Sequence, residues 1–170
     1  MKHYTRIFTF SLFISFAFSQ TQLGSDIDGE AADDRSGAAV SINSAGDRVA
    51  IGAQANDGAF DYAGHVRVYQ YSNNSWSQLG SDIDGEAYGD YSGTSVSMNS
   101  AGDLVAIGAH RNDGTDGLDG FAGHVRVYEY SNSSWSQLGS DIDGEAAYDY
   151  SGQSVSLNSD GDRVAIGAYQ

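Results

Sequence analysis

QLGSDIDGEA occupies residues 22–31 and returns unchanged at residues 78–87 and 137–146, at spacings of 56 and 59 residues. Self-similarity at such a period means that each copy is one supersecondary unit, whose apolar face is buried only by stacking on its neighbours. The three extra residues of the second copy fall in one loop, where 56–64 becomes 112–123, and both copies then resume with GHVRVY. The chain is therefore an array, with repeats at about 22–77, 78–136 and 137–170.

Outward from that stretch, the pattern within a unit alternates. In SVSMN (95–99), Val96 and Met98 face one side and polar residues the other, the period of a half-buried strand. LVAIGA (104–109) is apolar on both faces and ends in small residues that let another sheet approach. NSAGD (99–103) between them predicts a hairpin loop, with Gly102 free to take positive φ. HVRVYEY (124–130) predicts a third strand, SNSS (131–134) a turn, and 135–142 a fourth strand. Residues 22–27 predict the corresponding outer strand at the start of the array. No window has helical periodicity. Four short antiparallel strands per copy match a blade of a β-propeller, so the expected fold is all-β, with about two and a half blades. A β-helix would use much shorter repeats.

Composition narrows the function classes. The 170 residues hold 8 Lys+Arg against 23 Asp+Glu, a net charge of −15, with no Cys and no Pro. Thiolate zinc sites and disulfide scaffolds are excluded, as is the collagen helix, and no basic face is available for a nucleic acid. Aromatic residues at 12% and apolar residues at 40% argue against a disordered acidic chain.

Residues 1–19 read differently from the rest. Lys2, His3 and Arg6 precede an apolar run over 7–18, and Ala17 and Ser19 put small residues at −3 and −1 before Gln20. That is the layout of a secretory signal peptide, and the run is shorter than the roughly 20 residues that span a bilayer. The expected mature chain, from residue 20, has six Arg against 23 acids, or −17, and no Lys. Such a charge accumulates cations and disfavours anionic membranes. A secreted or cell-surface location follows, with no membrane span after cleavage.

The units resemble the FG-GAP type of propeller repeat found in integrin alpha-subunit heads and in many secreted bacterial proteins. The family's FG position falls on Ser36-Gly37, Ser92-Gly93 and Ser151-Gly152, and its GAP position on Gly52-Ala53, Gly108-Ala109 and Gly167-Ala168. Ser replaces the Phe, and Gln54, His110 or Tyr169 replaces the Pro. The resemblance implies a non-enzymatic scaffold that presents loops to protein or glycan ligands in adhesion. An enzyme on the same scaffold, such as a glycan hydrolase or lyase, and a purely structural spacer are the alternatives. Calcium-binding members carry a D-x-D-x-D-G loop between the first two strands. Here that connection is only 43–47, too short to wrap a cation that wants six to eight oxygens; Asp47, Asp103 and Asp162 are expected to close hairpins instead. A propeller needs about four to eight blades, and this sequence stops inside one. The expectation is a piece of a longer chain, in which strand 22–27 completes the last blade, or an oligomer if the chain truly ends at 170.

Candidate sites follow from the acids and aromatics. DIDGE fails as an EF-hand, because counting from Asp26 puts Ala31 where Gly is required and Gly37 where the bidentate Glu belongs. It is expected to be a turn whose Asp side chains bond nearby N–H groups, with at most weak cation binding by Asp26, Asp28 and Glu30. The expanded loop holds Asp113, Asp116 and Asp119 between flexible glycines, and hard cations favour such oxygens. These three residues are the candidate calcium ligands, with solvated loop acids as the alternative, and calcium is the one cofactor suggested. His65 and His124 open equivalent strands and read as structural. His110 varies between copies and lies beside Arg111, where a scaffold carries specificity. No second His or Cys lies at ligand spacing from any of them, and no G-x-S-x-G elbow is present. Tyr91 and Tyr150, with Arg35 in the first copy, are expected either on a loop face suited to glycan or protein ligands or packed between blades, and Trp76 and Trp135 in packing between units.

Overall fold

The computed structural model describes residues 21–113 and 120–169. Among these the protein is all-β, with twelve strands in three antiparallel sheets and no α-helix. Residues 1–19, read as the export signal, lie outside the described part, as do Asp116 and Asp119. No helix of the described residues is long and apolar enough to cross a membrane.

The first sheet contains β1 (Ser36–Ile42), β2 (Arg48–Ala53), β3 (His65–Ser72), β4 (Ser75–Gln78) and β5 (Ile83–Asp84). The second repeats it as β6 (Ser95–Met98), β7 (Leu104–Ala109), β8 (His124–Ser131), β9 (Ser134–Gln137) and β10 (Ile142–Asp143). The third contains β11 (Ser154–Leu157) paired with β12 (Val164–Gly167). Alternation sets the faces: Val96 and Met98 are buried, while Ser95 and Ser97 are half-buried.

The hairpin loops are locked by one Asn–Asp device in every copy. Asn43 Nδ2 donates to Asp47 Oδ1 (2.8 Å), and Asn43 Oδ1 accepts from the N–H groups of Asp47 and Arg48 (both 3.0 Å). Asn99 and Asp103 repeat this pattern, and Asn158 donates to Asp162 in the third copy. The expected hairpin-closing role of the three aspartates is observed.

Two expected strands differ. Residues 22–27 form no strand; the segment is held instead by Trp76, whose Nε1 donates to Leu23 O (2.9 Å). The predicted outer strand 135–142 is broken into β9 and β10, which pair with opposite ends of β8. In both copies the break follows the same steps. The Leu N–H still joins the ladder, as in Leu79 N–H to Val68 O and Leu138 N–H to Val127 O (both 2.7 Å). The next residue, Gly80 or Gly139, then turns out at φ +79° or +80°. Extended alternation cannot pass through such a residue, and the signal was hidden because LGSD is compatible with either geometry.

The sheets meet backbone to backbone. A Cβ on Gly52 would overlap Gly93 O, and a Cβ on Gly108 would overlap Gly152 O. Adjacent loops also exchange ladder bonds: Ser92 N–H to Ala63 O and Gly85 N–H to Gly64 O are each 2.8 Å. Serines on the first strands stitch consecutive sheets together, Ser41 Oγ accepting from Met98 N–H (3.0 Å) and Ser97 Oγ from Leu157 N–H (2.9 Å). Between the first two sheets lies the core: Ala50, Val66, Val68 and Ile83 against Val96, Met98, Val105 and Ile107. Trp135 packs on its margin and donates to Leu79 O (2.7 Å), repeating the Trp76 contact one unit on. Both tryptophans thus hold the segment that precedes their own sheet. Val40 and Ile42 on β1, at 63% and 60% exposure, are the apolar face that no other sheet covers among the described residues.

Substituting Gly52→Ala is expected to destabilise the chain by about 2–3 kcal/mol, since neither backbone can yield without moving a sheet. Gly46→Ala, at φ +72° in open space, should cost only about 1 kcal/mol. Urea denaturation of the two variants checks the difference.

Candidate functional site

One end of every sheet carries the same turn. Arg35, Tyr91 and Tyr150 each precede a Ser-Gly pair, and the carbonyls of all three accept from the N–H three residues on, at 3.0, 3.1 and 3.1 Å. All three sit at positive φ, +57°, +56° and +51°. That region costs a residue with a Cβ of order 1 kcal/mol or more. The conformation persists in Arg35, which follows no sheet among the described residues, so it belongs to the turn. Its effect is to aim three large side chains out of the sheet end.

The residue after the second strand completes each position. Ser36 pairs with Ala53, which brings Gln54 to the same end as Arg35. By the same construction His110 lies beside Tyr91, and Tyr169 beside Tyr150. Because the sheets abut at their glycines, these positions form a row. Ring centroids follow at 5.8 Å for Tyr62–Tyr91, 5.9 Å for Tyr91–His110, 6.2 Å for His110–Tyr150 and 5.7 Å for Tyr150–Tyr169. Phe121 stacks on Tyr150 at 5.8 Å. Arg111 lies over both Tyr91 (4.8 Å) and Phe121 (5.4 Å), within cation–π range.

Two hollows open between these rings. One, of about 230 Å³, is lined by Tyr62, Tyr88, Tyr91, Arg111, Asp113 and Phe121. The other, about 220 Å³, crosses all three units and is bordered by Arg35, Gln54, Tyr91, His110, Gln153 and Tyr169. Gln153 Oε1 is buried there with no hydrogen-bond partner. A buried acceptor left without a donor costs about 1–3 kcal/mol, so the hollow favours a ligand that brings one. A larger hollow of about 340 Å³ lies along β12, against Ile166 and Ala168, where the first two sheets carry a third strand.

His110 is tuned by its setting. Thr94 Oγ1 donates to Gln54 Oε1 (2.7 Å) and stands 2.9 Å from His110 Nδ1. With its proton committed to Gln54, the hydroxyl accepts from Nδ1–H, and Nε2 keeps the lone pair. Burial, assisted by the Arg111 charge, lowers the His110 pKa to about 4.

The structure brings Tyr91, Tyr150, Arg35, His110 and Arg111 to this one face, as their positions in the repeat suggested. It adds Tyr62 and Phe121, which the sequence reading passed over. Their signal was present: each stands two residues before the Gly of the repeated AGHVRVY. Asp113 is exposed at the rim of the first hollow.

The DIDGE segments differ from expectation. Their first aspartates accept from glutamine side chains, Gln22 to Asp26 (2.7 Å), Gln78 to Asp82 (2.5 Å) and Gln137 to Asp141 (2.6 Å), rather than from backbone N–H groups. Asp34, Asp90 and Asp149 make those backbone bonds, to Ala31, Ala87 and Ala146. His65 and His124 are buried beside carboxylates, at 2% and 3% exposure. Burial lowers both their pKa values.

No family model matches the chain, and no curated protein does. Among solved structures, a Bacteroides uniformis protein provisionally assigned as a 6-phosphogluconolactonase is similar over 75% of this chain and 31% of its own. The identity is 8% and the TM-score 0.48. This chain spans about a third of that protein's length, and a likeness so distant assigns no activity.

The depressed His110 pKa has a defined consequence. The unfolded ring takes up a proton near pH 6.5 and the folded ring only near pH 4. The stability contribution is therefore fully present above pH 6.5, and is lost as the pH falls from there through about 4. His110→Gln should flatten that part of the stability–pH profile, as read by thermal melts between pH 4 and 7.

Proposed function

We propose that this chain is part of an exported β-propeller of the FG-GAP type, and that its row of turns binds carbohydrate without transforming it. The four-stranded antiparallel unit, repeated with a backbone-close approach between neighbours, supports the propeller reading. The layout of residues 1–19 supports export.

The observation that carries the ligand class is the aromatic row bracketing the unfilled Gln153 acceptor. A sugar presents weakly polar C–H faces, which suit Tyr and Phe rings, and hydroxyl edges, which both donate and accept. Gln153 Oε1 and His110 Nε2 offer acceptors, and Arg35 and Arg111 offer donors. Repetition in three units suits an extended polymer better than a single small molecule. Tyr orders at little conformational cost, and the turn strain has already fixed its direction.

Affinity electrophoresis and calorimetry against a panel of soluble polysaccharides test this reading. Tyr91→Ala and Arg111→Ala should each weaken binding by about 30-fold, the scale of an aromatic or Arg anchor. Binding indifferent to both changes, binding of proteins but no glycan, or release of cleaved sugar would reject it.

A further inference from the structure

A second constellation lies away from the aromatic row and also repeats. Glu30, His65 and Asp82 converge in the first unit, and Glu86, His124 and Asp141 in the second, each with one nitrogen and two carboxylate ligand atoms within 4.8 Å of one another. The outer-strand break builds it. Turning out at Gly80 allows Asp82 to swing beside His65 before Ile83 rejoins the ladder opposite Val66. Consecutive DIDGE copies are shared between neighbours: the first acid of one copy closes a cluster, and its Glu opens the next.

The two clusters differ in what neutralises them. In the second, Arg126 forks onto Asp141, with Nε–H to Oδ1 and Nη2–H to Oδ2 both at 2.9 Å, and also contacts Glu86. Those bonds from Arg126 hold the Asp141 carboxyl below its usual pKa. The guanidinium is the resident cation there. In the first, Arg67 pairs with Glu30 alone, Nη1 lying 3.5 Å from Oε1, and the same Nη1 donates to Tyr69 Oη (3.1 Å). Asp82 makes no ion pair with it, and Asp84, opposite His65 in the ladder, adds another acid.

His65 supplies the independent sign. Its side chain is 2% exposed, and Nδ1 faces Glu30 Oε2 and Asp82 Oδ2 at 3.8 Å each, beyond hydrogen-bond reach. The equivalent His124 Nδ1 is buried with no hydrogen-bond partner at all. A buried ring nitrogen aimed between two carboxylates and hydrogen-bonded to neither is placed as a metal-ligating imidazole would be. Adjacent ligands of a tetrahedral Zn²⁺ lie about 3.4 Å apart, so 3.8 Å needs a contraction of only a few tenths of an ångström. Glu30 and Asp82, at 46% and 30% exposure, leave the cluster open to an ion from solvent.

We propose that Glu30, His65 and Asp82 form a binding site for a divalent transition-metal ion of the zinc class, and that in the second unit Arg126 occupies the equivalent place. The donor set of one imidazole and two carboxylates suits Zn²⁺ or Mn²⁺ better than Ca²⁺, which prefers oxygen alone. An ion there would tie the segment before the first unit to the outer strand of that unit.

Calorimetric titration of the full chain with zinc chloride, after chelator treatment, tests the site, with calcium chloride as a separate arm. One zinc per chain is expected, with calcium weaker at this site. Asp82→Asn and His65→Gln should each lower zinc affinity about tenfold or more, while His124→Gln leaves it unchanged. Arg126→Gln should raise the stoichiometry towards two. Absence of zinc binding, or zinc binding undiminished by Asp82→Asn, overturns the proposal. Circular dichroism accompanies each variant, and should His65→Gln fail to fold, the partly exposed Asp82→Asn decides.

Discussion

The close approach of glycine backbones between sheets is the contact on which the rest depends. Gly52 against Gly93, and Gly108 against Gly152, bring consecutive sheet ends nearer than any side chain would permit. At that separation, loops of adjacent units can trade N–H and C=O bonds, and first-strand serines can reach the N–H groups of the next sheet. The interface thus satisfies backbone groups as well as burying Val, Ile and Met, and an unpaired buried N–H is avoided at each step. A core of small β-branched residues suffices because the sheets are so close.

The same approach creates the surface with chemical potential. Strained Arg35, Tyr91 and Tyr150 would be isolated side chains on separate sheets if the sheets stood farther apart. Brought into register, they make a continuous run of rings with Arg111 and His110 among them. The cost of the left-handed turn is spread over three copies and offset by stacking, at about 0.5–1.5 kcal/mol per aromatic pair. Where a unit departs from its siblings, as with Gln54, His110 and Tyr169 at one position, the surface changes character without disturbing the sheet beneath.

The acidic excess has an ordered component too. Many acids are committed: Asp47, Asp103 and Asp162 to hairpin asparagines, Asp34, Asp90 and Asp149 to loop N–H groups, and Asp141 to Arg126. Glu30 and Asp82 are the pair whose arginine, Arg67, reaches the glutamate but does not fork onto the aspartate. The difference between two otherwise equal units therefore lies in where one arginine side chain turns.

From the residues alone came the repeat, the first three strands of the first two units and the first two of the third, the hairpin-closing Asp residues and, as one of two alternatives, the loop-face placement of Tyr91 and Tyr150. These are local properties: alternation has period two, Asn–Asp loops close within five residues, and a repeat shows itself by identity. The broken outer strand was not legible, since LGSD neither demands nor forbids a turn until Trp135 claims the Leu79 carbonyl from the next sheet. The loss of strand 22–27 has the same origin, as a strand needs a partner edge and Trp76 holds this segment by its carbonyl instead. Only the tertiary structure could join Glu30 to Asp82, or Tyr62 to Tyr169, because those meetings depend on how far one sheet is displaced from the next, and glycine contacts set that displacement across more than fifty residues of chain.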